Sequence, residues 1–175
     1  LATGGRSTCI RLWDVATGEE RLCLPEAGLC WSLAFSPDGK RLAVSSISSP
    51  VRVYDADTGK LERVFRSRSK SQELNGYSAG AAFTPDGKTL VGWNYSDTIT
   101  AWDVGTGAEK RAMPVEAGGS QNTMLLSPDG RTVLLTDGIR VPENEVYLWD
   151  VATGARVRTL PTQGAMWKRA AYSPD

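Results

Sequence analysis

Phe35-Ser36-Pro37-Asp38-Gly39-Lys40 returns as Phe83-Thr84-Pro85-Asp86-Gly87-Lys88, then as Leu126-Ser127-Pro128-Asp129-Gly130-Arg131, and its opening returns as Tyr172-Ser173-Pro174-Asp175. A second phrase alternates with it: Trp13-Asp14-Val15-Ala16-Thr17-Gly18, Tyr54-Asp55-Ala56-Asp57-Thr58-Gly59, Trp102-Asp103-Val104-Gly105-Thr106-Gly107 and Trp149-Asp150-Val151-Ala152-Thr153-Gly154. The prolines of the first phrase lie 48, 43 and 46 residues apart, and the first aspartates of the second 41, 48 and 47. Self-similarity at such a period is the mark of an array of supersecondary units.

Residues 29–65 serve as the type unit. Cys30–Phe35 is a short run of large side chains, expected to form a strand. Ser36-Pro37-Asp38-Gly39 makes a tight turn, in which proline presets φ, aspartate caps its own backbone and glycine accepts a positive φ. Leu42-Ala43-Val44 is a second strand. A polar loop from Ser45 to Pro50 leads to the alternating third strand, Val51-Arg52-Val53-Tyr54. Asp55 to Gly59 is a hairpin, with Gly59 placed to close a G1-type bulge. Leu61–Phe65 alternates again as an outer strand.

Each unit is thus a four-stranded antiparallel sheet. Leu42, Leu90 and Val133 each fall five residues after their proline and open a second strand. The fourth copy differs only by a longer segment, 138–144, before its third strand, and an array of packed sheets tolerates indels in loops. One such sheet cannot cover both its faces, so stability must come from neighbours stacked face to face. Trp13, Trp102 and Trp149 are expected between sheets, where burying a large side chain contributes about 1.5–3 kcal/mol.

Leu12-Trp13-Asp14, Ala101-Trp102-Asp103 and Leu148-Trp149-Asp150, each followed by a Thr-Gly turn and spaced with Ser/Thr-Pro-Asp-Gly, resemble the units of the WD-repeat (WD40) β-propeller family. The resemblance implies an all-β fold of four-stranded blades around a central channel. Two departures stand out. The family's Gly-His dipeptide is missing from every copy, so its His–Ser/Thr–Asp–Trp network cannot form. One Trp-Asp has also become Tyr54-Asp55. These are divergent repeats, expected to be held more by apolar packing than by that polar network.

The blades are placed at about 29–65, 77–113 and 121–160, with a partial blade over 1–26 and an opening strand over 166–175. These pieces amount to about four blades, where propellers have four to eight and the resemblance implies about seven. Three arrangements fit: a portion of a larger propeller completed by the remaining blades of a longer chain, a four-blade ring closed by 169–172 pairing with 1–4, and a homodimer that exchanges those strands to close eight blades.

Composition narrows the chemistry. Twenty basic and twenty acidic side chains cancel among 175 residues, so no bulk field recruits nucleic acid or an anionic membrane. Histidine is absent, which removes the commonest general base and metal ligand. Cys9, Cys23 and Cys30 show no CxxC spacing, and neither a disulfide framework nor a zinc site is expected. No apolar run approaches the roughly 20 residues that span a bilayer. The aspartates recur with the turns, so structural duty explains them. No glycine pattern cradles a phosphate. No catalytic residue, metal site or cofactor is therefore expected.

Partner binding is expected on the rim, where loops lead into the innermost strands six to eight residues before each proline. That count selects Leu29 and Trp31, Tyr77 and Ala79, Ser120 and Asn122, and Met166 and Lys168. Of these, Trp31, Tyr77, Asn122, Met166 and Lys168 are the candidate contacts, aromatic and soft side chains being common interface anchors. Trp31 and Trp167 could instead wedge between blades. The basic run Arg63, Arg66, Arg68 and Lys70, flanked by Glu62 and Glu73, reads as a solvated connector rather than a phosphate-binding loop. The resemblance implies a non-catalytic protein–protein interaction scaffold that takes a protein or peptide. Alternatives are a propeller holding a metal or small molecule in its channel and a sensory part of a larger enzyme. The regular Asp-Val-Ala-Thr-Gly wording is similar to bacterial members of the family and implies a cytoplasmic protein.

Overall fold

The computed structural model describes residues 1–6, 9–25, 29–46, 49–67, 80–93, 98–114, 124–136, 146–161 and 170–173. These form fifteen strands and, among the described residues, no helix. The first sheet has three strands, β1 (Ala2–Thr3), β2 (Cys9–Trp13) and β3 (Glu20–Pro25). The second joins β4 (Cys30–Phe35), β5 (Arg41–Ser46), β6 (Ser49–Asp55) and β7 (Leu61–Phe65). The third runs through β8 (Gly80–Phe83), β9 (Thr89–Trp93), β10 (Thr98–Asp103) and β11 (Glu109–Pro114). The fourth contains β12 (Met124–Leu126), β13 (Thr132–Thr136), β14 (Val146–Asp150) and β15 (Arg156–Leu160). Strands pair in chain order, always antiparallel, so each sheet is a meander.

Turn chemistry sets the spacing. In the Ser/Thr-Pro-Asp-Gly turns the first hydroxyl donates to the aspartate, at 2.6 Å for Ser36 and Asp38, and that carboxylate accepts the Lys40 backbone N–H. In the Asp-x-x-Thr-Gly hairpins the aspartate accepts from the threonine N–H, at 2.7 Å for Asp55 and Thr58. The glycines of both turns, from Gly18 to Gly154, have φ between 67° and 76°, a region costly for residues with a β-carbon. Each hairpin also carries a bulge, at Leu12/Trp13, Val53/Tyr54, Ala101/Trp102 and Leu148/Trp149.

Strand alternation gives every sheet a front face, turned to the preceding sheet, and a back face, turned to the next. Ile10, Leu12 and Leu24 on the back of the first blade meet Leu42, Val44 and Tyr54 on the front of the second. Val51, Val53 and Phe65 then meet Leu90, Trp102 and Val104. Val91, Ile99 and Met113 meet Val133, Leu135 and Trp149. Three successive apolar interfaces are therefore built on one plan. β4 and β8, the first strands of adjacent blades, lie against each other, which puts the propeller axis on their side. This is an all-β fold of propeller blades.

Several details differ from the sequence expectation. Within the loop expected over Ser45–Pro50, the described residues 45, 46, 49 and 50 are strand: Ser46 pairs with Ser49, and Ser45, Ser46 and Ser49 are buried. Trp102 is buried and Trp149 packs in the third interface, whereas Trp13 is half-buried, its indole N–H donating to Thr3 Oγ1 at 2.8 Å. The buried Trp149 N–H has no acceptor among the described residues. The sequence leads to no expectation of a disulfide framework, yet Cys9 and Cys23 are joined as a disulfide across β2 and β3, in which Cys30 takes no part. Arg11 pairs with Cys23 in the register, so Cys9 and Cys23 sit diagonally, Cα atoms 5.6 Å apart, within bonding reach. Of the expected opening strand over 166–175, residues 170–173 form no strand, and the rest lies outside the described residues. Among the described residues β1 pairs with β2 alone.

Candidate functional site

Of the five candidate rim contacts the structure describes Trp31; Tyr77, Asn122, Met166 and Lys168 lie outside the described residues. Cys30 pairs with Ser46 and Ser32 with Ser45, so Trp31 is the extra residue of a bulge at the start of β4. A bulge re-aims the side chain it carries. Trp31 is 48% exposed, whereas Leu33 and Ala34, later on the same strand, pack against the cores on either side. The innermost strand of the second blade thus presents an indole at its leading end.

Between the third and fourth blades lies a cleft of about 780 Å³ lined by Asp86, Asp129, Asp150, Lys110, Arg111 and Arg131, among others. Its carboxylates are engaged in turns. Asp86 Oδ1 accepts from the Thr84 hydroxyl at 2.5 Å and from the Lys88 N–H. Asp129 Oδ1 accepts from the Ser127 hydroxyl and the Arg131 N–H, and Asp150 Oδ1 from the Thr153 N–H and hydroxyl. The Thr84 hydroxyl holds the Asp86 carboxyl below its ordinary range, the Ser127 hydroxyl does so for Asp129, and the Thr153 backbone N–H for Asp150. Such groups stay ionised near neutrality and make poor general acids. Among the described residues no three His, Cys, Asp or Glu side chains converge on a metal position.

The basic run divides. Arg63 is not a connector residue: its two Nη atoms donate to the carbonyls of Thr106 and Gly105 in the next blade's hairpin, at 2.7 and 2.8 Å. Arg66 is exposed, and Arg68 and Lys70 lie outside the described residues. Arg111 repeats the Arg63 contact, donating to the Thr153 carbonyl at 2.9 Å. Sequence reasoning missed this clasp, although a signal existed: Arg63, Arg111 and Arg158 each stand four residues after the hairpin glycine.

Stacked four-stranded meanders, joined by these turns and presenting a rim, define a β-propeller protein without a recognisable catalytic constellation among the described residues. The family model of the anaphase-promoting complex subunit 4 WD40 domain matches residues 5–96, just over half of the sequence. The chain belongs to this WD40 family. Coronin-7 of Mus musculus is 42% identical over 62 residues, which is 35% of this chain and 7% of the mouse protein. The coronin-like protein crn1 of Schizosaccharomyces pombe is 37% identical over 60 residues, 34% of this chain and 10% of the yeast protein. The matched segments therefore span only a small part of these relatives. Among solved structures, Kuenenia stuttgartiensis hydrazine synthase superposes with a TM-score of 0.74 at 21% identity, covering 87% of this chain and 42% of that one. At that identity the likeness concerns the fold.

Proposed function

We propose that the chain is a non-catalytic docking platform for a protein or peptide partner in the cytoplasm, with Trp31 as the anchor of its rim. WD40 membership and the coronin similarity support protein interaction as the general role. The observation that carries the reading is the bulge that exposes Trp31. Tryptophan supplies a large, stiff contact area, and such residues dominate interface energetics. On the same count from the turn prolines, Tyr77, Asn122, Met166 and Lys168 would complete the rim. A ligand in the channel, or a sensory role in a larger enzyme, has weaker support, since the carboxylates described above serve turns.

Affinity capture from the native host with wild type and Trp31→Ala tests this. The wild type retains a stoichiometric partner that Trp31→Ala loses, while the two thermal midpoints coincide. Unchanged capture with a lowered midpoint would assign Trp31 to blade packing and remove the proposed site.

A further inference from the structure

The cleft between the third and fourth blades is lined differently from the corresponding place one interface earlier. Arg41 and Thr89 each stand four residues after a turn proline, and Glu62 and Lys110 each stand three after a hairpin glycine. Between the second and third blades the long side chains pair, Arg41 Nε donating to Glu62 Oε2 at 2.7 Å, and Arg63 spends both Nη atoms on hairpin carbonyls. Between the third and fourth, Lys110 Nζ donates to the short Thr89 side chain at 3.0 Å and lies 3.3 Å from Asp103 Oδ2. An acid has given way to a base and a long side chain to a short one. Arg111 commits a single Nη atom, to the Thr153 carbonyl.

Arg131 brings a further donor to the same cleft. Its guanidinium is exposed, acts on the Asp129 carboxylate through its field and donates no hydrogen bond among the described residues. The lining holds three basic and three acidic side chains. Its carboxylates already accept turn hydrogen bonds, whereas Arg111 and Arg131 keep N–H groups to spare, which favours an anionic ligand over a cationic one. A single negative charge suits a lining whose own charges cancel. A phosphate monoester, with close to two charges, would meet stronger repulsion from the three carboxylates. Pro85, Ala101 and Val151 add apolar wall beside the charges.

We propose that this cleft docks an acidic peptide segment of a partner protein. A side-chain carboxylate of the peptide accepts from Arg111 and Arg131, in the charge-assisted geometry that guanidinium groups favour, and the adjoining apolar side chain rests against Pro85 and Val151. The site lies at the end of the blades that carries the Pro-Asp-Gly turns. Trp31 leads β4 at the opposite end, so this is a second docking surface and does not depend on the rim.

Titration of the 15N-labelled chain with the blocked pentapeptide acetyl-Ala-Leu-Glu-Leu-Ala-amide, followed by amide chemical shifts, tests the site. At millimolar peptide the Thr89, Arg131 and Ala152 amides are expected to move in a saturable way. The counterpart with glutamine in place of glutamate is expected to bind on the order of tenfold more weakly, and the phosphoserine counterpart to bind no better than the glutamate peptide. Arg131→Glu is expected to lose the saturable shifts with an unchanged thermal midpoint, since its side chain holds no hydrogen bond that the fold uses. Trp31→Ala is expected to keep them, so failure of the rim and failure of the cleft are read separately. Still amides around the cleft, equal binding of the glutamine peptide, tighter binding of the phosphoserine peptide, or full binding to Arg131→Glu would each overturn the proposal.

Discussion

Gly92 lies directly under the indole of Trp102. A β-carbon on Gly92 would stand 2.7 Å from Trp102 Cζ3 and 3.3 Å from the Gly80 carbonyl oxygen. Leu90, the cross-strand partner of Trp102, is on the same face, and the Phe65 ring of the preceding blade meets the indole with centroids 5.7 Å apart. The glycine is thus the floor of a slot that lets one blade's tryptophan lie flat while the next ring packs over it.

Gly92→Ala is therefore expected to destabilise the fold by about 1–3 kcal/mol, the usual cost of overpacking. The ring cannot slide away without opening the contact with Phe65. Trp102→Ala empties the slot and is expected to cost about 3–5 kcal/mol. Chemical denaturation of the two variants checks both figures. The double variant should cost less than their sum, because with the indole gone the alanine methyl has room.

Acid should unfold the array in a defined window. Asp14, Asp38, Asp55, Asp86, Asp103, Asp129 and Asp150 all accept turn hydrogen bonds that hold their carboxyls below the ordinary value of 3.8. Asp103 is taken to about 2, first by the Thr106 backbone N–H, then by the Thr106 hydroxyl and Lys110. A carboxyl depressed in the folded state contributes stability above its unfolded value, and that contribution is lost as pH falls through the folded one. The thermal midpoint should hold steady down to about pH 4 and then drop steadily toward pH 2. Asp103→Asn should lower the midpoint at neutral pH and flatten the acid limb. A midpoint rising below pH 4 would contradict the turn assignment.

What the sequence makes legible follows from range. Asp38, Gly39, Asp55 and Gly59 act on neighbours two to five residues away, so residue type and spacing suffice, and the structure gives all four the turn duties expected of them. The alternation of Val51 and Val53 is likewise local, and the structure buries both on one face of β6. Arg63 is different. Its partners are 42 and 43 residues away on another sheet, and nothing in its surroundings distinguishes a clasp from a solvated charge. The Cys9–Cys23 pair depends on strand register, which spacing alone leaves open. Trp31 was selected by counting from Pro37, but only the bulge shows why its ring points outward.

The arginine clasps can be weighed against each other. Arg63 makes two charge-assisted hydrogen bonds to hairpin carbonyls, and Arg111 has one such bond, to Thr153. Both sit at the blade edge near solvent, so Arg63→Ala is expected to cost about 1–2 kcal/mol and Arg111→Ala less, about 0.5–1 kcal/mol. Arg63→Lys should recover only part of the loss, since one ammonium cannot span two carbonyls as a planar fork does. Urea midpoints with an unchanged slope would show that stability alone has altered. If both alanine variants matched wild type, the carbonyls would be as well served by water.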